Sequence, residues 1–543
     1  MSLQSLIPMG LFIILAAAST GGHSDNNHTP EVVETRPNIL LIVADDLGYT
    51  DLGAFGGEIH TPNLDQLAMT GLRLTNFHTG PSCSPTRAML ITGTDHHIAG
   101  VGSQGRLQTP NQTNSPAYTN SLLPSVPTVA EHLGKLGYRN LASAKWHLGK
   151  NPEALPNRRG FHRSFVLLEG GAGHFDDTPL FESYGKAGWL ENDQPTELPE
   201  GFYSSDHMTD KILSYIRETP TGQPWFAFLG YTAPHWPLQA PPEAIAPYQG
   251  VYAGGWDHLR NKRMQGAIAA GVANPKSQAV AYEAGMVPWD TLSAADQVYA
   301  AKKMQIYAGM VHRMDENVGR LLKALEDSGA LANTAVVFLS DNGAEAHVME
   351  NYSTNPTWLP ASFDNSLQSV GTARSYVSLG PGWARATAAP FRASKSKLSE
   401  GGIRVPAFVH LPNGITGIDG SYMRVMDLAP TFIELAGGQV PDDMMGRSLL
   451  SRLTGGEPAY EADEVVAAET FGRRMAQSGD WKILLQEAPY GTGEWQLYNL
   501  AEDPGEQLDL SDQFPDRRTE LIKAWQAFAD ETGVILPDEP IGY

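Results

Sequence analysis

In Asn38-Ile39-Leu40-Leu41-Ile42-Val43-Ala44-Asp45-Asp46, a short continuous apolar run stops at a pair of carboxylates. No polar residue alternates within it, which is the pattern of a strand buried on both faces. A second run, Ala335-Val336-Val337-Phe338-Leu339, ends in Ser340-Asp341-Asn342, and a third, Trp225-Phe226-Ala227-Phe228-Leu229-Gly230, leads into Thr232-Ala233-Pro234-His235. Between Val311 and Leu325, Met314, Val318, Leu321, Leu322 and Leu325 recur at helical spacing. Buried strands alternating with helices predict an α/β sheet. Ligands of such sheets gather at the carboxyl ends of the strands, where both acidic clusters fall.

At 543 residues the chain exceeds what one core fills, about 250–300 residues, so two domains are expected. Near Pro441 the pattern changes to short segments such as Trp481-Lys482-Ile483-Leu484-Leu485 and Trp495-Gln496-Leu497-Tyr498, then a helical stretch over Arg517 to Ala529. This predicts a catalytic domain over 36–440 and a smaller α+β domain over 441–543, with an antiparallel sheet and a closing helix. Long segments rich in Gly, Pro and Asn, at 102–127, 170–201, 236–287 and 344–390, are expected to wall a pocket.

With 38 Lys and Arg against 60 Asp and Glu, the formal charge is −22. That balance argues against a nucleic-acid partner, and an anionic ligand must be drawn in by local cations. The apolar run Leu6 to Ala18 is of signal-peptide length, so residues 1–30 are expected to be an export leader with a polar tail. No later segment is apolar for long enough to span a bilayer, so no stable membrane insertion of the mature chain is expected. The expected location is periplasmic or secreted.

Cys83 is the single cysteine and lies in Cys83-Ser84-Pro85-Thr86-Arg87. It has no partner for an internal disulfide, so stability must come from core and metal. In a helix opened by Pro85, residues 83 and 87 lie on one face, with the Arg87 guanidinium beside position 83 and free backbone donors aimed at an anion there. Asp45, Asp46, Asp341 and Asn342 offer hard oxygen donors from two strand ends, a set that favours Ca²⁺ or Mg²⁺ over Zn²⁺. Lys145 and His147 follow a strand-like Asn140 to Ala144 and, two apart on an extended chain, point the same way.

The stretches ADDLGYTDLGAFGGEIHTPNLDQLA and GPSCSPTRAMLITGTDHHIAG, between Asn38 and Gly100, resemble the bacterial arylsulfatases of the formylglycine-dependent sulfatase family, within the alkaline phosphatase superfamily. Similar blocks recur at Lys145-Trp146-His147-Leu148-Gly149, Ala233-Pro234-His235, Ser340-Asp341-Asn342-Gly343 and Glu400-Gly401-Gly402-Ile403-Arg404, and again near Gly479-Asp480-Trp481-Lys482 and Leu497 to Glu506. The resemblance covers nearly the whole chain after the leader. It implies a large mixed, mostly parallel sheet flanked by helices, and hydrolysis of sulfate monoesters to an alcohol or phenol plus sulfate.

The resemblance further implies that a formylglycine-generating maturation enzyme converts Cys83 to 3-oxoalanine, an aldehyde that takes up water to form a geminal diol. One hydroxyl attacks sulfur and expels the alcohol; the other then loses its proton, expels sulfate and restores the aldehyde. Asp45, Asp46, Asp341, Asn342 and the modified Cys83 are the implied ligands of one Ca²⁺, with Asp341 also able to take the proton of the attacking hydroxyl. Lys145 would bind sulfate, His147 act as base in the elimination, and His235 contact sulfate and help protonate the leaving oxygen. Lys395, chosen over Lys397 by its spacing from Glu400-Gly401-Gly402, would be a second sulfate-binding lysine. Arg87 would support the diol and nearby carboxylates. Arg404 is read as structural, and His96 and His97 as local packing or polar contacts. The implied substrate is a sulfated small molecule or glycan. Three alternatives stay open on the residues: a phosphonate monoester or phosphate diester hydrolase of the same superfamily, a thiol enzyme using unmodified Cys83, and a non-catalytic binder of sulfated glycans.

Overall fold

Six of the seven residues in the strand Asn38–Ala44 are buried, and it lies near the middle of a ten-stranded sheet. The computed structural model describes residues 36–283, 286–351 and 357–542; the export leader expected over 1–30 lies outside them. From one edge the sheet runs Gly417–Asp419, Leu72–Leu74, Ala407–His410, Thr334–Ser340, Asn38–Ala44, Trp225–Gly230, Arg139–Lys145, Arg163–Leu167, Trp189–Glu191, Gln194–Pro195. The five strands from Thr334–Ser340 to Arg163–Leu167 pair in parallel, while Ala407–His410 and the last two strands run antiparallel to their neighbours. This is the large mixed, mostly parallel sheet that the resemblance implied.

Alternation along the central strand explains why it is apolar throughout. Leu40 and Ile42 enter one core layer with the helices Ser204–Arg217 and Ala294–Asp327; Ile39, Leu41 and Val43 enter the other with Cys83–Thr92, Val129–Lys135 and Leu428–Leu435. None of the five is exposed, and each contributes about 1.5–3 kcal/mol of burial.

The helix predicted over 311–325 is the last part of Ala294–Asp327, whose Ser293 hydroxyl caps the Asp296 N–H at 3.2 Å. From Met304 to Val311 nearly every side chain is buried, so no apolar stripe marks that half. A second helix, Gly255–Ala269, went unseen inside the segment 236–287. Its buried face includes Arg260, bonded to the carbonyls of Pro390 and Phe391 at 2.9 Å, and Arg263, paired with Glu58 at 2.8 Å. Charged residues on the inward face hide the periodicity.

The C-terminal strands Val465–Thr470, Arg473–Ser478, Trp481–Leu485 and Gln496–Asn499 form the antiparallel sheet expected, and helix Pro515–Thr532 covers one face through Leu521 and Trp525. The other face packs Met475, Leu484 and Tyr498 on Leu398 and Ile403. Lys482 crosses there to Glu400 at 2.6 Å and Glu506 at 2.8 Å, with all three side chains fully buried.

Candidate active site

Three neighbouring parallel strands deliver their carboxyl ends to one place. Asn38–Ala44 ends at Asp45 and Asp46, Thr334–Ser340 at Asp341 and Asn342, and Trp225–Gly230 leads to His235. Backbone bonds lock the ends together: the Asp341 N–H donates to the Ala44 carbonyl at 3.0 Å, and the Asp46 N–H to Asp341 Oδ1 at 3.2 Å. Asn342 Nδ2 donates to Asp46 Oδ1 at 2.7 Å. Asp46 sits at φ 67°, a left-handed conformation that costs a non-glycine residue roughly 1–3 kcal/mol and is retained where the surroundings impose it.

The helix carrying Cys83 runs from Cys83 to Thr92, so Pro85 is its third residue rather than its opener, still within the first turn. Cys83 Sγ faces Asp45 Oδ1 at 3.4 Å and Asp46 Oδ1 at 3.7 Å. One turn on, Arg87 grips Asp341 Oδ2 through Nε at 2.9 Å and Nη2 at 2.8 Å, and donates from Nη1 to the Lys145 carbonyl at 2.7 Å. Burial, then the Asp341 charge, pushes the Cys83 thiol well up. A thiol held neutral opposite two carboxylates disfavours the thiol-enzyme alternative, which needs a thiolate.

Lys145 closes on both oxygens of Asp45 at 2.8 and 2.7 Å. His147 also reaches the site, but not as an extended chain would carry it: its φ is 55°, so the backbone turns there and the strand alternation ends at Lys145. His147 Nδ1 is buried without a hydrogen-bond partner. His235 Nε2 lies 3.7 Å from Asp46 Oδ2, while its Nδ1 bonds the Trp236 carbonyl at 2.6 Å. Burial, then the Lys145 charge, holds both histidines well below their usual range, hence neutral.

Ser396 separates the two candidate lysines physically. Its φ of 72° breaks the alternation that would aim residues 395 and 397 alike. Lys395 Nζ lies 2.8 Å from Asp46 Oδ1 and 3.5 Å from Glu345. Lys397 instead points at the Tyr490 ring, 4.0 Å from its centroid, and burial pushes it down to about 7. Glu345, itself bonded to His347 Nδ1 at 2.6 Å, is a site residue that sequence reasoning missed. Its position two beyond Gly343 in Ser340-Asp341-Asn342-Gly343 was the available signal.

Burial raises Asp45 to about 7 against the pull of Lys145, and raises Asp46 against Lys395. For Asp341 the same penalty is outweighed by Arg87, Lys145 and Lys395, and its carboxyl is held low. Three buried carboxylates thus face three cations, and Asn342 Oδ1 is left without a partner beside them. Crowded hard oxygens with one orphaned acceptor form a donor set that fits a hard dication. Asp45, Asp46, Cys83 and His235 each place a potential ligand atom within 4.8 Å of the others.

A second cluster, Asp95, His96 and His97, is held differently. His97 bridges Asp95 and Glu469 at 2.8 Å each, and His96 bonds the Val101 and Glu469 carbonyls at 3.0 Å. Every ring nitrogen is thereby engaged. Burial alone would lower His97, but Asp95 and Glu469 raise it to about 9. A raised imidazole stabilises the fold fully below about pH 6.5 and loses that contribution as pH rises through 9. Asp95, Glu469, His96 and Tyr118 are the groups facing it. We expect the wild-type melting temperature to fall between pH 7 and pH 10, and His97→Gln, less stable at pH 7, to lack that part of the fall; parallel slopes would refute the assignment.

Buried carboxylates, converging cations and a single cysteine thus meet at the carboxyl edge of the mixed sheet. The sulfatase family model matches residues 37–438, and a model described as N-sulphoglucosamine sulphohydrolase, C-terminal, matches 394–525. The chain belongs to the sulfatase family, in the alkaline phosphatase superfamily, and is a sulfuric ester hydrolase. An uncharacterised sulfatase of Schizosaccharomyces pombe is 39% identical over 93% of this chain and 95% of its own. An arylsulfatase of Klebsiella aerogenes is 39% identical over 74% of this chain and 87% of its own. Among solved structures, Ps i-CgsB in complex with k-i-k-neocarrahexaose is 25% identical with a TM-score of 0.65, covering 93% of this chain and 95% of that one.

Proposed function

We propose that this sulfatase is an arylsulfatase: it hydrolyses sulfate monoesters, to a phenol or alcohol plus sulfate, through formylglycine made from Cys83 by a separate maturation enzyme. The observation that carries this reading is the convergence of three buried carboxylates, Arg87, Lys145 and Lys395 on the single cysteine. Asp45, Asp46, Asp341 and Asn342 would hold Ca²⁺, with the orphaned Asn342 Oδ1 as one donor. The hydrated aldehyde would supply the attacking hydroxyl, and the dication would lower its pKa and polarise a sulfate oxygen.

The remaining work belongs to the chain's own side chains. Lys145 and Lys395 are fully buried point charges suited to sulfate oxygens. Arg87 fixes the orientation of Asp341 and, through the Lys145 carbonyl, the end of that strand. Neutral His147, with Nδ1 unpartnered, suits a base; His235, its Nδ1 committed to a carbonyl, presents Nε2 toward the leaving oxygen. Residues 36–440 are read as the catalytic domain and 441–543 as the smaller domain. The protein is placed in the periplasm or outside the cell; among the described residues no helix is long and apolar enough to cross a membrane.

Lys395→Ala should lower kcat/KM for an aryl sulfate by about 10²–10³-fold, the scale of losing one preorganised charge contact, and Lys397→Ala by far less. The reverse ranking would show that the wrong lysine was assigned. Removing metal by chelation should lower the melting temperature and Ca²⁺ should restore it, through a stabilisation of about 2.7 kcal/mol at a hundred times Kd. Asp46→Asn should blunt that response; a response equal to wild type would place the ion elsewhere. The reading as a whole is tested by tandem mass spectrometry of the peptide spanning Cys83 together with sulfate release from 4-nitrophenyl sulfate. Aldehyde with turnover supports it, whereas turnover by an unmodified thiol, or faster cleavage of an aryl phosphonate or phosphate diester, overturns it.

A further inference from the structure

Above His147 and His235 opens a cavity of ≈ 110 Å³, and segments far apart in sequence wall it. Leu107, Leu180, Phe181, Tyr184, Trp236 and Met349 supply half of the lining residues. Trp236 stacks on His235, centroids 5.1 Å apart and 27° between planes, and meets Phe181 edge-on at 6.3 Å. The outer end is strapped. Arg106 lies 4.8 Å from the Phe181 centroid and 5.6 Å from that of Tyr184, and also hydrogen-bonds Ser183 Oγ, tying the turn Gly105–Leu107 to the turn Glu182–Tyr184.

Size and chemistry point the same way. Pockets for drug-sized ligands run to about 300–1,000 Å³, and an apolar cavity of roughly 150 Å³ admits a single benzene. At ≈ 110 Å³ the cavity is on the scale of a single ring and well below that of a drug-sized pocket. Away from the floor, where His147 and His235 face the reacting ester, its side-chain polar groups are few: Gln104 Oε1 accepts from Ser82 Oγ at 2.5 Å, and Arg106 is committed to the strap. A sugar entering here would bury hydroxyls with few partners, at about 1–3 kcal/mol each. A phenyl ring would meet apolar and aromatic walls.

We propose that Phe181, Trp236, Leu180 and Met349, closed by Arg106, form a single-ring leaving-group slot that selects monocyclic aryl sulfates over fused-ring and sugar sulfates. This rests on the hydrolytic reading above, and deepens it by naming the substrate class. Two measurements keep the ideas apart. In the mature enzyme, kcat/KM for 4-nitrophenyl sulfate should exceed that for 4-methylumbelliferyl sulfate at least tenfold. Arg106→Ala and Phe181→Ala, which open the slot, should cut that preference at least fivefold. By calorimetry on Cys83→Ala, phenyl sulfate should bind at least tenfold more tightly than to Cys83→Ala/Phe181→Ala, while galactose 6-sulfate binds both alike. An unchanged preference in both opened variants, or equal phenyl sulfate binding with and without Phe181, overturns the slot. Slot binding in calorimetry with no turnover of any ester by aldehyde-bearing enzyme would sustain the slot and overturn the hydrolytic reading instead.

Discussion

Cys83→Ala is expected to lower sulfate release by on the order of 10⁵-fold or more, the scale on which enzymes lose activity when a covalent nucleophile is removed. Stability should change little. Among the described residues the thiol makes two long polar contacts, to Asp45 and Asp46, and its helix is buried along its whole length, so a shift of about 1 kcal/mol is expected. Cys83→Ser separates the chemistry further: a serine hydroxyl keeps a nucleophile without the aldehyde, and any single turnover should stall as a sulfate ester. Steady turnover by either variant with unchanged kcat would remove Cys83 from the reaction. Kinetics and a melting curve on the same preparation decide the matter.

Lys482→Ala should be the most destabilising single change outside the central sheet, at about 3–5 kcal/mol, because it leaves Glu400 and Glu506 buried without their cation. Burial would lower the Lys482 pKa, yet the two carboxylates outweigh it and raise it. Glu400 also binds His78 at 3.1 Å and, by its N–H, Glu506 at 3.0 Å, so one ammonium anchors the segment that carries Lys395. Arg473, bonded to the Ser396 carbonyl, and Gln486, bonded to the Leu398 N–H at 3.0 Å, hold the same segment from the C-terminal sheet. Activity should therefore fall with stability. Lys482→Met, which fills the space without the charge, should lose nearly as much; a loss below about 1 kcal/mol in both variants would mean that the carboxylates find other partners.

Local signals carried the central strand, the two acidic strand ends and the first helical turn at Cys83, because each depends on a few adjacent residues. Asn38–Ala44 has the predicted bounds, since a strand buried on both faces must be apolar at every position. Gly255–Ala269 escaped because its inward face carries Arg260 and Arg263, whose partners come from distant segments. His147 was expected at the site on an alternation argument that its left-handed backbone voids; it arrives by a turn instead.

From its residues alone the chain announces an α/β sheet, a family resemblance and a set of candidate side chains for the chemistry, since these follow from periodicity and short motifs. That Lys395, the lysine chosen by spacing, reaches Asp46, that Glu345 stands behind it, and that Arg106 closes an aromatic slot over the histidines are matters of the folded chain. Lys395 and Lys397 are the same residue type two positions apart, and the difference between them is one positive φ at Ser396 together with a carboxylate almost 350 residues away. Long-range partners of that kind are chosen by packing, and packing energies are summed over the whole fold rather than written in any one segment.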